Sequence, residues 1–362
     1  MVSAVAPKSA GVHREAYQLA VDARDPRFDG VFYVGITTTR VYCRPCCPSR
    51  LAYDRHRRFF DSAAAAERAG FRPCMRCRPE LAPGRAATAL AVVSRLAQHA
   101  AQRIAEGGLN GRSVADLAAE LGVSERHLRR ALAREVRVSP LELAQTHRLL
   151  LAKRLLVDTD LPITRIAYAS GFQSLRRFNT VFREQYRMPP SALRRGRPAR
   201  PSSGGSLQLT LSYRRPFAWD ALMNSLPREA TVSIGGNSGV VSVDNSPTDG
   251  HLVVRIAEPL LPVLMPLIAG LRRVFDLDAE PAVIDAHLSA GRLGPLVARR
   301  PGIRVPGKLE TLIGASPDAF NANSRALQRA AGARSARELL AMAEEWRPWR
   351  AYAAELLLLQ TP

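Results

Sequence analysis

Apolar residues change their spacing several times along the chain. In "GVFYVGITTTRVYC" (Gly30 to Cys43) they alternate with small or polar ones, which predicts strands; the Ala-rich "SAAAAERAG" that follows predicts a short helix. From about residue 88 to 196 the period lengthens to three or four and the chain reads as helical throughout. Within it, "SVADLAAELGVSERHLRRALAREVRVSP" predicts a helix from Val114 to Leu121, a left-handed turn at Gly122, and a second helix capped by Ser124. A second copy follows: Ile163, Ile166 and Ala167 form an apolar face, Gly171 makes the turn, and Gln173 to Glu184 form the next helix. A long amphipathic segment, "PLELAQTHRLLLAKRLLVDTD", joins the two. Beyond a Pro/Gly/Ser/Arg linker, "RRGRPARPSSGGS" (Arg194 to Ser206), strand-like runs return in "LQLTLSYRRPFAWDAL", "ATVSIGGNSGVVSVDN" and "GHLVVRIA". From "PLLPVLMPLIAGLRRVFDLD" onward the pattern is mostly helical.

These shifts divide the chain at 1–85, 88–196, a linker at 197–206, 207–300 and 301–362, and 362 residues exceed one ordinary core. Charge sharpens the picture. The net charge is +20, and residues 1–200 hold 35 Lys and Arg against 17 Asp and Glu, whereas the rest is nearly balanced. An arginine bias (49 of 52 basic residues) explains the choice of Arg over Lys but not this asymmetry, which favours a polyanion such as DNA. No signal peptide is evident, and the most apolar run, "PLLPVLMPLIAGL", is too short and proline-rich to span a bilayer. The expectation is a cytoplasmic protein working at the nucleoid.

All five cysteines lie within about 35 residues, at Cys43, Cys46, Cys47, Cys74 and Cys77. Two short pairs, Cys43-x3-Cys47 and Cys74-x2-Cys77, suit four-sulfur zinc binding; Cys46 could replace Cys47, and spacing alone does not choose. A zinc staple for a small domain is the plainest use of such a set.

The surroundings go further. "DARDPRFDGVFYVGITTTRVYCRPCCPSR" followed by "GFRPCMRCRPE" closely resembles the N-terminal domain of the Ada family of DNA alkylation-repair proteins, over about residues 13 to 82. The resemblance implies one zinc ion on Cys43, Cys47, Cys74 and Cys77, with Cys43 also the methyl acceptor. It also implies that Thr39, Arg50 and Arg76 lie near the DNA backbone. Cys46 becomes a spare thiol, and Arg40 departs from the family's glycine. Four thiolates on Zn2+ carry net charge −2, so a neutral methylphosphotriester approaches where an anionic diester is repelled. One transfer leaves a stable thioether and lowers the charge to −1, which turns repair into a signal.

The tandem helix-turn-helix resembles the AraC-type DNA-binding domain that follows the zinc domain in the Ada family. Candidate DNA contacts are Arg126, Arg129 and Arg130 in the first recognition helix, and Gln173, Ser174, Arg176 and Arg177 in the second. The family's late glycine is Arg187 here, in "EQYRMPPSALR". Phe172, Phe178 and Phe182 read as core. RNA polymerase is the partner that an activator of this type implies.

"LTLSYRRPFAWDAL", "RRPGIRVPG" and "AEEWRPWRAYAAELLLL" resemble AlkA-type 3-methyladenine DNA glycosylases, yet the helix-hairpin-helix element has no counterpart. After "RVPG" the chain jumps to "LIGASPDAFNANSRALQRA", where the family's essential Asp aligns with Ser324 and Asp318 lies too early. Serine cannot stabilise an oxocarbenium-like sugar as a carboxylate does. Trp346, Trp349 and Tyr352 then read as core. The expected architecture is multidomain: a small α+β zinc domain, an all-α tandem helix-turn-helix domain, and an α+β region resembling an incomplete glycosylase. The expected function is single-turnover methyl transfer coupled to transcription activation. The alternatives are a zinc-stabilised regulator without chemistry and a protein that also excises 3-methyladenine.

Overall fold

The computed structural model describes residues 10–84, 94–194, 205–246 and 250–360; the expected boundaries at 85–88 and 197–206 fall mostly or wholly outside these stretches. The chain divides into two units between Pro201 and Ser202.

In the first unit, α1 (Ala10–Asp22) precedes a four-stranded sheet built from β1 (Tyr33–Ile36), β2 (Val41–Cys43), β3 (Arg57–Phe60) and β4 (Arg72–Pro73), with α2 (Ala63–Arg68) before β4. The strand order is β3-β1-β2-β4. Val34 pairs with Cys43 across the antiparallel β1–β2 hairpin, and β4 runs parallel to β2. The core is thin: Ala20, Val21, Phe32 and Val34 pack against the four clustered cysteines, with Tyr17 stacked on Phe32. Sequence reading did not anticipate α1, because residues 1–85 showed a helical signature only at the alanines.

The helical part runs through α3 (Arg95–Ala105), α4 (Val114–Glu120), α5 (Glu125–Glu135), α6 (Pro140–Asp158), α7 (Ile163–Ala169), α8 (Leu175–Tyr186) and α9 (Pro190–Arg194). Ser113 and Ser139 begin α4 and α6 with reciprocal capping boxes. Ile104, Leu117, Leu128 and Leu132 form the core of the first helix-turn-helix. Gly122 and Gly171 have φ of 69° and 92°, and a Cβ on Gly171 would lie 2.4 Å from the Asn110 side chain. The second recognition helix starts at Leu175 rather than Gln173, because the Ser174 hydroxyl accepts from Arg177 N and sets the boundary. Phe172, Phe178 and Phe182 are buried, as expected of core residues.

The second unit holds β5 (Ser206–Ser212), α10 (Trp219–Met223), β6 (Glu229–Ile234), β7 (Asn237–Ser246) and β8 (His251–Ala257), an antiparallel sheet of order β5-β8-β7-β6. Leu207, Leu209 and Leu211 alternate inward, matched by Leu252, Val254 and Ile256. Then come α11 (Leu264–Val274), α12 (Pro281–Ser289), α13 (Gly294–Arg299), α14 (Arg325–Ala331), α15 (Ala336–Ala343) and α16 (Arg350–Leu358). Ile284, Leu288, Leu327, Trp346, Trp349, Tyr352 and Leu356 share one core. Arg304 is buried and donates to the carbonyls of Arg214, Pro216, Gly302 and Ile303, which anchors the "RVPG" stretch before the jump in sequence.

Candidate metal centre and nucleic-acid interface

Cys43 ends β2, and Cys47 follows after a tight turn in which its N–H donates to the Arg44 carbonyl. Cys74 follows β4, and its N–H donates to the Tyr42 carbonyl, which brings the second ligand pair under the first. The four sulfurs of Cys43, Cys47, Cys74 and Cys77 lie within 4.8 Å of one another, each on a residue less than a tenth exposed. Tetrahedral zinc with sulfur ligands needs sulfurs roughly 3.8 Å apart, so this donor set fits one zinc ion with only a small contraction. The donor chemistry agrees. Cys43 and Cys47 share a hydrogen bond that holds Cys43 protonated and lowers Cys47; four touching thiols ionise together only around a cation.

Cys46 stands outside the group of four sulfurs that lie together, and burial pushes its thiol up to about 11. Backbone N–H groups of Arg44 and Arg76 point at Cys77 Sγ (3.4 Å) and Cys74 Sγ (3.3 Å). Among the described residues no backbone N–H bond to the sulfur of Cys43 or Cys47 accompanies these two.

The predicted backbone contacts are exposed near the ligands: Thr39 in the β1–β2 turn, Arg50 three residues past Cys47, and Arg76 between Cys74 and Cys77. In α5, Arg126, Arg129 and Arg130 line a shallow groove with Glu125, which ion-pairs with Arg129 one turn away. In α8, Arg176 lines a groove with Leu175, Asn179, Thr180 and Arg183. Sequence reading missed Asn179, Thr180 and Arg183, although their three- and four-residue spacing from Arg176 marks one helix face. Arg177 is exposed but does not line that groove, and Gln173 Nε2 lies 3.5 Å from the Gly171 carbonyl, before the helix. Ser174 is occupied as the N-cap.

Three family models match the chain: the metal-binding domain of Ada over residues 16–80, a helix-turn-helix domain over 117–196, and the AlkA N-terminal domain over 225–310. The chain carries Ada-type and AlkA-type domains. It is 36% identical over 306 residues to the "Probable bifunctional transcriptional activator/DNA repair enzyme AlkA" of Mycobacterium tuberculosis, covering 79% of this chain and 61% of that protein. The chain therefore spans about three-fifths of that relative's length. Over 63 residues it is 48% identical to the "Bifunctional transcriptional activator/DNA repair enzyme Ada" of Escherichia coli, covering 17% of this chain and 18% of that one. Among solved structures, the methylated N-Ada/DNA complex is matched at 29% identity over 37% of this chain and 96% of that one, with a TM-score of 0.18. The AlkA-type match spans the sheet of the second unit only from β6 onward and ends just past "RVPG".

At Ser324 the backbone begins α14, and the hydroxyl accepts from Leu327 N. Asp318 is held by Arg350 Nε and Nη2 at 2.7 and 2.8 Å and by Arg347 Nη1 at 2.8 Å. Trp346, Trp349 and Tyr352 are buried, as their core reading requires.

Proposed function

We propose that this protein accepts a methyl group from DNA methylphosphotriesters on Cys43 and uses the change to activate transcription. The observation that carries this reading is the buried four-cysteine cluster, in which the sulfurs of Cys74 and Cys77 accept backbone N–H bonds and those of Cys43 and Cys47 do not; of these two, Cys43 is the position that the Ada-type resemblance makes the acceptor. Bound Zn2+ supplies the positive charge that keeps all four sulfurs deprotonated at neutral pH.

The Cys43 thiolate attacks the methyl carbon in line. The S–C bond forms as the C–O bond breaks, and the electron pair stays on the phosphate oxygen, leaving an ordinary anionic diester and a thioether on Cys43. No base regenerates the thiol, so each chain acts once. Arg44 orders the ligand loop, with Nε 2.7 Å from Asp29 Oδ1 and Nη1 3.2 Å from the Cys77 carbonyl. Thr39, Arg50 and Arg76 position the phosphate backbone, while the α5 and α8 faces read promoter DNA in the cytoplasm at the nucleoid, where RNA polymerase is recruited. Loss of one negative charge at the cluster weakens repulsion of DNA, and affinity rises.

The second unit acts as a folded remnant without base-excision activity. Its Asp318 is committed to two arginines and Ser324 to a helix cap, so neither offers a carboxylate to a developing sugar cation.

The test is DNA affinity before and after exposure to methylated DNA, across a salt series. Wild-type affinity is expected to rise on methylation, most at low salt. Cys43→Ser is expected to show no rise. Equal affinities and equal salt slopes for both wild-type forms would remove the mechanism.

A further inference from the structure

One face of α6, formed by Thr146, Leu150 and Lys153, packs on the metal-binding domain. The Thr146 hydroxyl donates to Glu67 Oε2 at 2.6 Å, and Tyr42, the residue before Cys43, donates to Glu67 Oε1 at 3.0 Å. Leu150 packs with Tyr42 and Phe71. One turn on, Lys153 is 1% exposed; its ammonium donates to the Cys74 carbonyl at 3.0 Å and to Glu80 Oε2 at 2.5 Å.

Glu80 is equally buried and accepts from Arg78 Nε at 3.0 Å. Arg78 also grips Asp158, the last residue of α6, through two bonds of 2.8 and 2.7 Å. The chain from ligand Cys74 to Glu80 is thus clamped at two points to the helix that joins the two helix-turn-helix pairs. At the end of α8, Gln185 Nε2 donates to the Phe71 carbonyl at 2.9 Å, and Tyr186 donates to the Leu149 carbonyl. Lys153 is one of only three lysines among 52 basic residues. A compact ammonium suits a closed space that a planar guanidinium fills poorly, and a buried charge is retained only when fully paired.

We propose that Lys153 is a positioning residue that makes the metal-binding domain and the helix-turn-helix domain meet DNA as one rigid body. The proposal rests on the methyl-acceptor reading above and adds how the change at Cys43 reaches the reading helices. In a rigid pair, weaker repulsion at the cluster adds in full to the affinity of α5 and α8 for their site. Where the clamp is loosened the two modules are only tethered, and their joint gain shrinks with the effective concentration.

The experiment uses the full zinc-loaded chain, as wild type, K153M, K153R and K153M/E80Q. The probe is a duplex selected in vitro on methylated wild type. Molecules shown by mass to carry one methyl group are compared with unmethylated ones, with zinc counted in each sample. Wild type is expected to bind at least about tenfold more tightly once methylated; the advantage should fall at least about fivefold in K153M and by a smaller factor in K153R, which keeps the charge paired with Glu80 but fits the closed space less well. An unchanged advantage in K153M overturns the clamp while leaving methyl transfer intact. Should K153M fail to fold, K153M/E80Q decides in the same way, because the uncompensated buried carboxylate is gone. A wild type that takes no methyl group overturns the parent reading, and the clamp with it.

Discussion

Arg40 and Arg187 both hold left-handed backbone, with φ of 55° and 59°, at positions where the families resembled here carry glycine. A Cβ in that region costs about 1–2 kcal/mol, and glycine returns part of this through its larger unfolded-state entropy. The two sites differ in what the side chain gives back. Arg40 lies over the Phe71 ring at 5.2 Å, a contact of about 0.5–1 kcal/mol, whereas Arg187 is an exposed helix C-cap. Urea unfolding is therefore expected to show Arg187→Gly more stable by about 1 kcal/mol and Arg40→Gly close to neutral. Equal gains at both would mean that the ring contact contributes nothing. The cysteines were legible because metal ligation imposes short local spacings. The choice of Cys47 over Cys46 was not, since it depends on how the turn after Arg44 aims each side chain. Lys153 was invisible for the same reason at longer range: its partner Glu80 is 73 residues away.

Helices α4 and α5 were readable from apolar period and capping serines, and α7, which begins after Pro162, from its apolar face alone, because those signals are local. The interface face of α6 was not, because Thr146 and Lys153 look polar in sequence and become buried only through α2 and the 74–80 segment. That face makes a pH prediction. Burial raises the Glu67 carboxyl to about 7, against hydrogen bonds from Thr146 and Tyr42 and the nearby Lys153 ammonium. The folded state then keeps a proton that the unfolded state releases from about 4.5, so this group's stabilising contribution is full below the lower value and declines until pH passes about 7. The loss is on the order of 3 kcal/mol. Glu67→Gln should flatten the fall in unfolding free energy between pH 5 and 7 relative to wild type, with zinc present in both. Parallel curves for the two proteins would show that Glu67 does not titrate in this window.

At the scale of the molecule, the chain divides into two units between Pro201 and Ser202, a point inside the Pro/Gly/Ser/Arg stretch where the excess of basic charge also ends. In the second unit the core positions of Trp346, Trp349 and Tyr352 were foretold, whereas buried Arg304 was not, because the Arg214 and Pro216 carbonyls it donates to lie 90 and 88 residues away. The proposal that this unit lacks base-excision activity makes a prediction. Release of free 3-methyladenine from alkylated DNA is expected to be absent for wild type and for Ser324→Asp, because the helix-hairpin-helix grip has no counterpart in this chain. Base release by Ser324→Asp alone would show that only the acid was missing.

The most direct measurement is the intact mass of the zinc-loaded chain after incubation with a duplex bearing a methylphosphotriester, with zinc quantified in the same sample. One methyl group per chain, mapped to Cys43 and never exceeding one, is the expected result. A chain that holds its full zinc and remains unmodified beside that duplex would contradict the account.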